Sequence, residues 1–244
     1  AYLSGDDLRH LDWRVAARTG AYCVRQYDDE ANRVLHLLVD VSGSMDFGSS
    51  LQRRKHQVAT KLALALSWLA LRQGDAVGLQ FAGDGDLPSC RPQAHPSHFS
   101  RLAGLLGATS PEGPTRLVNG LRRLQAQRLQ PGCLVVLTDL FDPDPQLLPC
   151  LAQFAGGSHD VAVLQVLDPQ ETTFALPAPV QLHSMEDKQT VFVDPLRSQK
   201  SLQQAMQQRL TLQRDGLRRA GIWHQQLFCQ HPLRRLLADF LGRR

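Results

Sequence analysis

Short unbroken apolar runs alternate with stretches of helical period along the first two thirds of this chain. Val34–Val39 is apolar except for His36, the pattern of a strand covered on both faces. Residues 51–72 follow with helical spacing, a richly apolar second half and a stop at Gly74. A second strand, Ala76–Phe81, opens after Asp75 and closes at Gly83, and the Asp84-Gly85-Asp86 turn leads into a short extended piece suited to an edge strand. Helical spacing returns over His95–Leu106 and Arg116–Leu129. Cys133–Thr138 is a third core strand, Gln146–Phe154 a helix, and Val161–Leu167 a fourth core strand. Strands alternating with helices imply right-handed crossovers, hence an α/β fold with a doubly wound, mainly parallel sheet flanked by helices in three layers of Rossmann type. Beyond residue 168 the rhythm changes. Val180–His183 and Thr190–Val193 read as a hairpin, Ser201–Ala220 as a long helix, residues 221–228 as a last strand, and Leu233–Leu241 as a closing helix.

This topology predicts where ligands collect, because open parallel sheets bind beyond the carboxyl ends of their strands. Asp40, Ser42 and Ser44 follow one strand end, and Asp139 ends another. Thr115 follows Gly113-Pro114 before a helix. The five are brought to one rim, and all carry hard oxygen ligands of the kind that suit magnesium, or another divalent cation such as manganese or calcium. Without the rest of the set, an Asp and two Ser at a strand end would equally serve as caps for backbone N–H groups. Other candidates are weaker. Cys90, His95 and His98 lack a fourth ligand and match no zinc spacing. His36 reads as a packed core histidine, and Asp142 and Asp144 as turn residues able to add charge near the rim. Ser42 or Ser44 as a nucleophile would need a base in a triad arrangement, and neither a G-x-S-x-G elbow nor a Walker loop is present.

Composition narrows the class further. The 244 residues are enough for a substantial core. The chain opens at Ala1-Tyr2 without a methionine, so a longer gene product is expected. No apolar run reaches the ~18 residues of a membrane helix. Five scattered cysteines without a C-x-x-C pair fit a reducing compartment rather than a disulfide framework. The expected location is cytoplasmic, with membrane association left open for the full-length protein. The net charge of +4 hides an asymmetry: residues 197–244 carry ten Lys/Arg against two Asp/Glu, and residues 1–196 carry seventeen against twenty-one. The arginines of the tail are spread and lack interleaved aromatics, so a solvated helix face is the simpler reading and no specific nucleic acid is expected.

The N-terminal string Gly5-Asp6-Asp7-x-Arg9-x-Leu11-Asp12-Trp13-x-x-x-Ala17-Arg18, with residues 24–30 and Asp40–Ser44, resembles the bacterial family called domain of unknown function 58. The order D-x-S-x-S, then T, then D resembles the metal-ion-dependent adhesion site of von Willebrand factor A domains. The resemblance implies a von Willebrand factor A-like domain over residues 31–244, with 169–244 as a hairpin-plus-helix extension and residues 1–30 packing on the domain. It implies a cation held by Asp40, Ser42, Ser44, Thr115 and Asp139, with a position open to a partner's carboxylate. Pro114 stands where a second glycine is common in the family, which stiffens the loop before Thr115. The implied function is that of a metal-dependent interaction module, an adaptor for a MoxR-type AAA+ ATPase or its client in assembly or maturation, and not an enzyme. Two alternatives stay open at this point: a magnesium-dependent phosphohydrolase, and a nucleic-acid-binding module using the basic tail. Oligomeric state is not legible.

Overall fold

A strand hydrogen-bonded on both edges and covered on both faces has no polar side to show. β1 (Val34–Asp40) is such a strand, with every residue from His36 to Asp40 buried. In a computed structural model of the chain the described residues are 33–241, apart from 49, 51–52, 128, 176–179, 184, 186–189 and 194. The N-terminal segment 1–30 lies outside them. β1 pairs in parallel with β2 (Ala76–Ala82) on one side and β4 (Gly132–Thr138) on the other. β3 (Ser89–Gln93) closes the β2 side as an antiparallel edge, and Pro92 lies where the register shifts between Val77 and Leu79, a place that tolerates proline. β5 (His159–Leu167) extends the sheet beyond β4. Past the separate hairpin of β6 (Val180–His183) and β7 (Thr190–Val193), β8 (Trp223–Phe228) joins β5 in parallel. The order β3-β2-β1-β4-β5-β8 is that of a doubly wound sheet, as expected.

The pleat sorts side chains between two helical layers. Leu37 and Val39 of β1, Val135 and Leu137 of β4, and Leu164 and Val166 of β5 face one layer. That layer is built by α1 (Lys55–Arg72), α2 (His98–Ala108) and, later in the chain, a closing helix at Leu233–Leu241. Leu38, Leu134, Val136 and Val163 face the other, formed by α3 (Leu117–Ala126), α4 (Leu147–Ala155) and the end of the long helix Pro195–Arg219. Each of these fully buried aliphatic side chains contributes about 1.5–3 kcal/mol relative to exposure. The five-residue helix Pro169–Thr173 becomes α5, Pro195–Arg219 α6 and Leu233–Leu241 α7.

Several boundaries shift from the sequence reading for local reasons. α1 starts at Lys55, after an extended Arg54. α2 starts three residues later than read, because His95 and Ser97 bond each other as a turn ahead of it. α6 starts earlier, at Pro195, a residue whose fixed φ suits the first helical position. The C-terminal stretch also supplies β8 to the main sheet, with Leu227, Cys229, Leu236 and Phe240 buried in the first layer's core.

Candidate metal centre

The two aspartates of the rim are placed by the carboxyl ends of β1 and β4, and the other contributors by the turn and loop beside them. Asp40 is the last residue of β1 and is fully buried. Its Oδ1 accepts the Ser42 backbone N–H at 3.0 Å, and its Oδ2 accepts the Thr138 hydroxyl at 2.7 Å. The chain then enters a single 3-10 turn, Gly43–Asp46, which presents the serines. Ser42 and Ser44 hydroxyl oxygens are 3.1 Å apart, and Ser44 donates to Asp139 Oδ2 at 2.8 Å. The loop carrying Thr115 is clamped to this turn by two backbone bonds, Gly43 N–H to the Gly113 carbonyl at 2.8 Å and Glu112 N–H to the Val41 carbonyl at 2.9 Å. Gly113 takes a left-handed φ of 71° there, and Thr115 is buried two residues on. Four of the five predicted residues thus form one hydrogen-bonded cluster, and the fifth sits on a loop bonded to it.

Asp139 is the most heavily engaged of the set. Its Oδ1 accepts the Phe141 N–H at 3.0 Å, while Oδ2 accepts both Ser44 and the ammonium of Lys55, the latter at 2.6 Å. The next residue, Leu140, is held at φ 60°, a conformation costly for a side chain with a Cβ. Its environment holds it there. The Leu140 N–H donates to the Thr138 hydroxyl, and its carbonyl accepts Gln213 of α6 at 2.6 Å. Gln165 of β5 donates to the Asp139 carbonyl at 3.0 Å.

Lys55 is itself fully buried and reaches a second carboxylate, Glu171 Oε1, also at 2.6 Å. Glu171 belongs to a capping box at the start of α5: its Oε2 accepts the Asp168 N–H, and Asp168 accepts the Gln170 N–H. The Lys55 ammonium also lies 4.9 Å from the centre of the Phe141 ring, and the Arg209 guanidinium lies 4.8 Å from the same centre.

Electrostatics follow from this packing. Burial, and then the neighbouring charge of Asp139, push the Asp40 carboxyl up to about 7, against the pull of its hydrogen bonds. Burial works against the Lys55 charge, but Asp139 and Glu171 outweigh it and hold the ammonium above the ordinary lysine value. Burial lifts Glu171 above the ordinary glutamate value even with Lys55 beside it. One ammonium shared at equal distance between two carboxylates neutralises neither alone, so the charged lysine is the firm member and Glu171 the weaker partner. The donor set is chemically suited to a small hard cation: carboxylates and hydroxyls with neither sulfur nor imidazole. Among the described residues no three or more His, Cys, Asp and Glu side chains converge as a metal cage, so a cation here would rely on hydroxyls as much as on carboxylates.

The family model for "Protein of unknown function DUF58" matches residues 1–215. The chain belongs to this family. Two curated relatives, "Uncharacterized protein Rv1480" of Mycobacterium tuberculosis and "Uncharacterized protein Mb1516" of Mycobacterium bovis, are each 29% identical over 177 residues, covering 70% of this DUF58 chain and 54% of their own. The chain thus spans about half the length of the curated relatives it matches. Among solved structures, the conserved hypothetical protein BatB from Bacteroides thetaiotaomicron aligns with TM-score 0.51 at 15% identity, over 86% of this chain and 98% of that one. An aerotolerance-related membrane protein from Bacteroides fragilis NCTC 9343 aligns with TM-score 0.53 at 15% identity, over 86% and 99%. These likenesses concern the fold alone, a mainly parallel, doubly wound α/β sheet flanked by helices.

The remaining candidates of this DUF58 chain find ordinary roles. Asp142 Oδ2 accepts the Leu117 N–H, capping α3 from across the rim, and Asp142 and Asp144 each accept the N–H two residues ahead. His36 bonds the Gln130 carbonyl at 2.9 Å, and burial lowers its pKa. His98 bonds the Val77 carbonyl, with the Cys90 sulfur 3.8 Å away. Lys55 and Glu171 were not singled out in the sequence. A signal for Lys55 existed: it shares the helical register of Val58, Ala59, Leu62 and Leu66, all buried. A charge on that face had to have a buried partner. Among the described residues no helix is long and apolar enough to cross a membrane.

Proposed function

We propose that this chain is a cation-dependent protein–protein interaction module rather than an enzyme. It acts as an adaptor for a MoxR-type AAA+ ATPase, or that ATPase's client, in assembly or maturation of complexes. The observation that carries the reading is the convergence of Asp40, Ser42, Ser44 and Asp139 in one hydrogen-bonded cluster at the carboxyl ends of β1 and β4. Magnesium, or a similar divalent cation, would be held by Asp40, Ser42, Ser44, Thr115 and Asp139, and would offer a coordination position to a partner's Asp or Glu. Thr138 and the Ser42 N–H fix the orientation of the Asp40 carboxylate, and the buried surroundings strengthen any charge pairing made there. The lysine beside the strand-end aspartate is engaged with two carboxylates and shielded from solvent, a supporting rather than a phosphate-binding placement. Cys90, Cys133, Cys150 and Cys229 are buried and not joined in disulfides, which supports a cytoplasmic setting.

The test is a magnesium titration of thermal unfolding for the parent and Asp40→Ala, followed by capture of a MoxR-type AAA+ ATPase with magnesium or with chelator. A midpoint rise and a magnesium-dependent capture, both confined to the parent, are expected. Equal capture by Asp40→Ala, or capture indifferent to chelator, would remove the cation from the mechanism.

A further inference from the structure

We propose that Lys55 is a built-in counter-cation that weakens the rim's hold on a divalent ion, so that firm cation binding waits for the partner's carboxylate. This rests on reading the rim as a cation centre. The starting point is a lysine where hydrocarbon would do. Lys55 occupies the buried face of α1 in register with Val58, Ala59 and Leu62, and its side chain is fully shielded. Replacing a buried ion pair by apolar groups of the same shape is commonly neutral or stabilising, so packing alone does not call for an ammonium here.

The ammonium's position shows what it does to the site. Asp139 Oδ2 already receives Ser44 and Lys55, and Oδ1 receives Phe141, which leaves about one of roughly four acceptor sites on that carboxylate. Asp40 by contrast is held by the Ser42 backbone N–H and by the neutral hydroxyls of Thr138 and Ser42, and Lys55 reaches Asp139 rather than Asp40. With Asp40, Asp139 and Glu171 all ionised against Lys55, the group carries two negative charges. A divalent ion would be balanced on paper but repelled by a fixed positive charge sharing one of its carboxylates. Glu171 is the adjusting member: by drawing on the ammonium from the α5 side, it limits how far Lys55 neutralises Asp139. Lys55 is thus an affinity-setting residue that the sequence motif of the cation site does not contain.

The experiment measures Mg²⁺ binding by calorimetry and Mn²⁺ binding by electron paramagnetic resonance, each with the metal alone. The chains compared are the parent, Glu171→Gln, Lys55→Met/Glu171→Gln, and Asp40→Ala as a blank, with a melting curve for each. The double variant is expected to bind both ions at least tenfold more tightly than the parent. Glu171→Gln, which leaves the ammonium leaning on Asp139 alone, is expected to bind them several-fold more weakly. A double variant with the parent's affinity would overturn the role of Lys55 while leaving the cation centre intact. No binding by any folded chain, the double variant included, would remove both. Should the double variant not fold, unchanged or tighter binding by Glu171→Gln would by itself overturn the proposal.

Discussion

Lys55→Met tests the buried ion network directly, because methionine keeps the length of the stem and deletes only the charge. The change leaves two carboxylates in the interior without their shared cation. Asp139 retains Ser44 and the Phe141 N–H, but Glu171 retains only the Asp168 N–H. Breaking a buried pair from one side costs about 3–5 kcal/mol. The Glu171 side chain keeps slight exposure and has a route toward water, so the lower half of that range is expected. For a domain of this size, roughly 2–4 °C of midpoint accompany each kcal/mol, giving a drop on the order of 6–16 °C. Without Lys55 the Glu171 carboxyl is pushed further above its unfolded value by burial. Its contribution is therefore intact in acid and lost as pH rises, and the deficit shrinks from pH 7 to pH 5. Urea unfolding at both pH values, in chelator, gives the numbers. Lys55→Met/Glu171→Gln should recover part of the loss, since Glu171 is then neutral and Asp139 keeps Ser44 and the Phe141 N–H. A loss below about 1 kcal/mol at pH 7, or no recovery in the double variant, would show that the network is not the sealed unit described above.

Asp40 predicts a pH dependence of the cation-free chain with the opposite sign to the usual carboxylate. Its folded value of about 7 lies above the ordinary 3.8, so its stabilising contribution is full below about pH 4 and lost as pH rises through 7, roughly 4 kcal/mol in all. In chelator, Asp40→Asn should flatten that part of the stability profile between pH 4 and 8; an unchanged slope would assign it elsewhere. Gly120→Ala on α3 should destabilise by about 1–2 kcal/mol despite alanine's better helix propensity. The added Cβ would come within 2.9 Å of the Ala82 Cβ and 3.0 Å of Leu38 Cδ1, and a net gain in denaturant midpoint would contradict that packing. Thr138→Val removes the hydroxyl that donates to Asp40 and accepts the Leu140 N–H. The expected cost is about 1–3 kcal/mol with weaker magnesium response, and a full response would mean that Asp40 needs no such anchor.

The four core strands and the rim were legible because each rests on a strong local pattern. Strands buried on both faces must be continuously apolar, and the residue where that run ends must turn polar. Asp40 and Asp139 announce themselves in this way. Helix starts were less legible, since the residues ahead of α2 satisfy their own hydrogen bonds as a turn and still carry helical spacing. Lys55 and Glu171 were hidden for different reasons. A lysine in the polar first half of a helix read over 51–72 passes for a solvated side chain until its register with Leu62 is counted. Glu171 sits in a five-residue helix whose place beside Lys55 is set wholly by long-range folding. The parallel pairing of β8 was equally invisible, because Trp223-His224-Gln225-Gln226 is only partly buried and looks like a surface strand.

The placement of β8 bears on how this chain can be divided. The family likeness stops at residue 215, inside α6, and β8 and α7 lie beyond it. A polypeptide ended at that point would retain the whole rim yet leave β5 with a bare row of backbone donors and acceptors. It would also uncover the surface that Leu227, Leu236 and Phe240 shield. Open apolar strand borders pair with one another, so such a fragment should associate and precipitate while still carrying every residue of the cation motif. The stretch that is recognisable as family and the stretch that folds as a unit are therefore different lengths of this molecule.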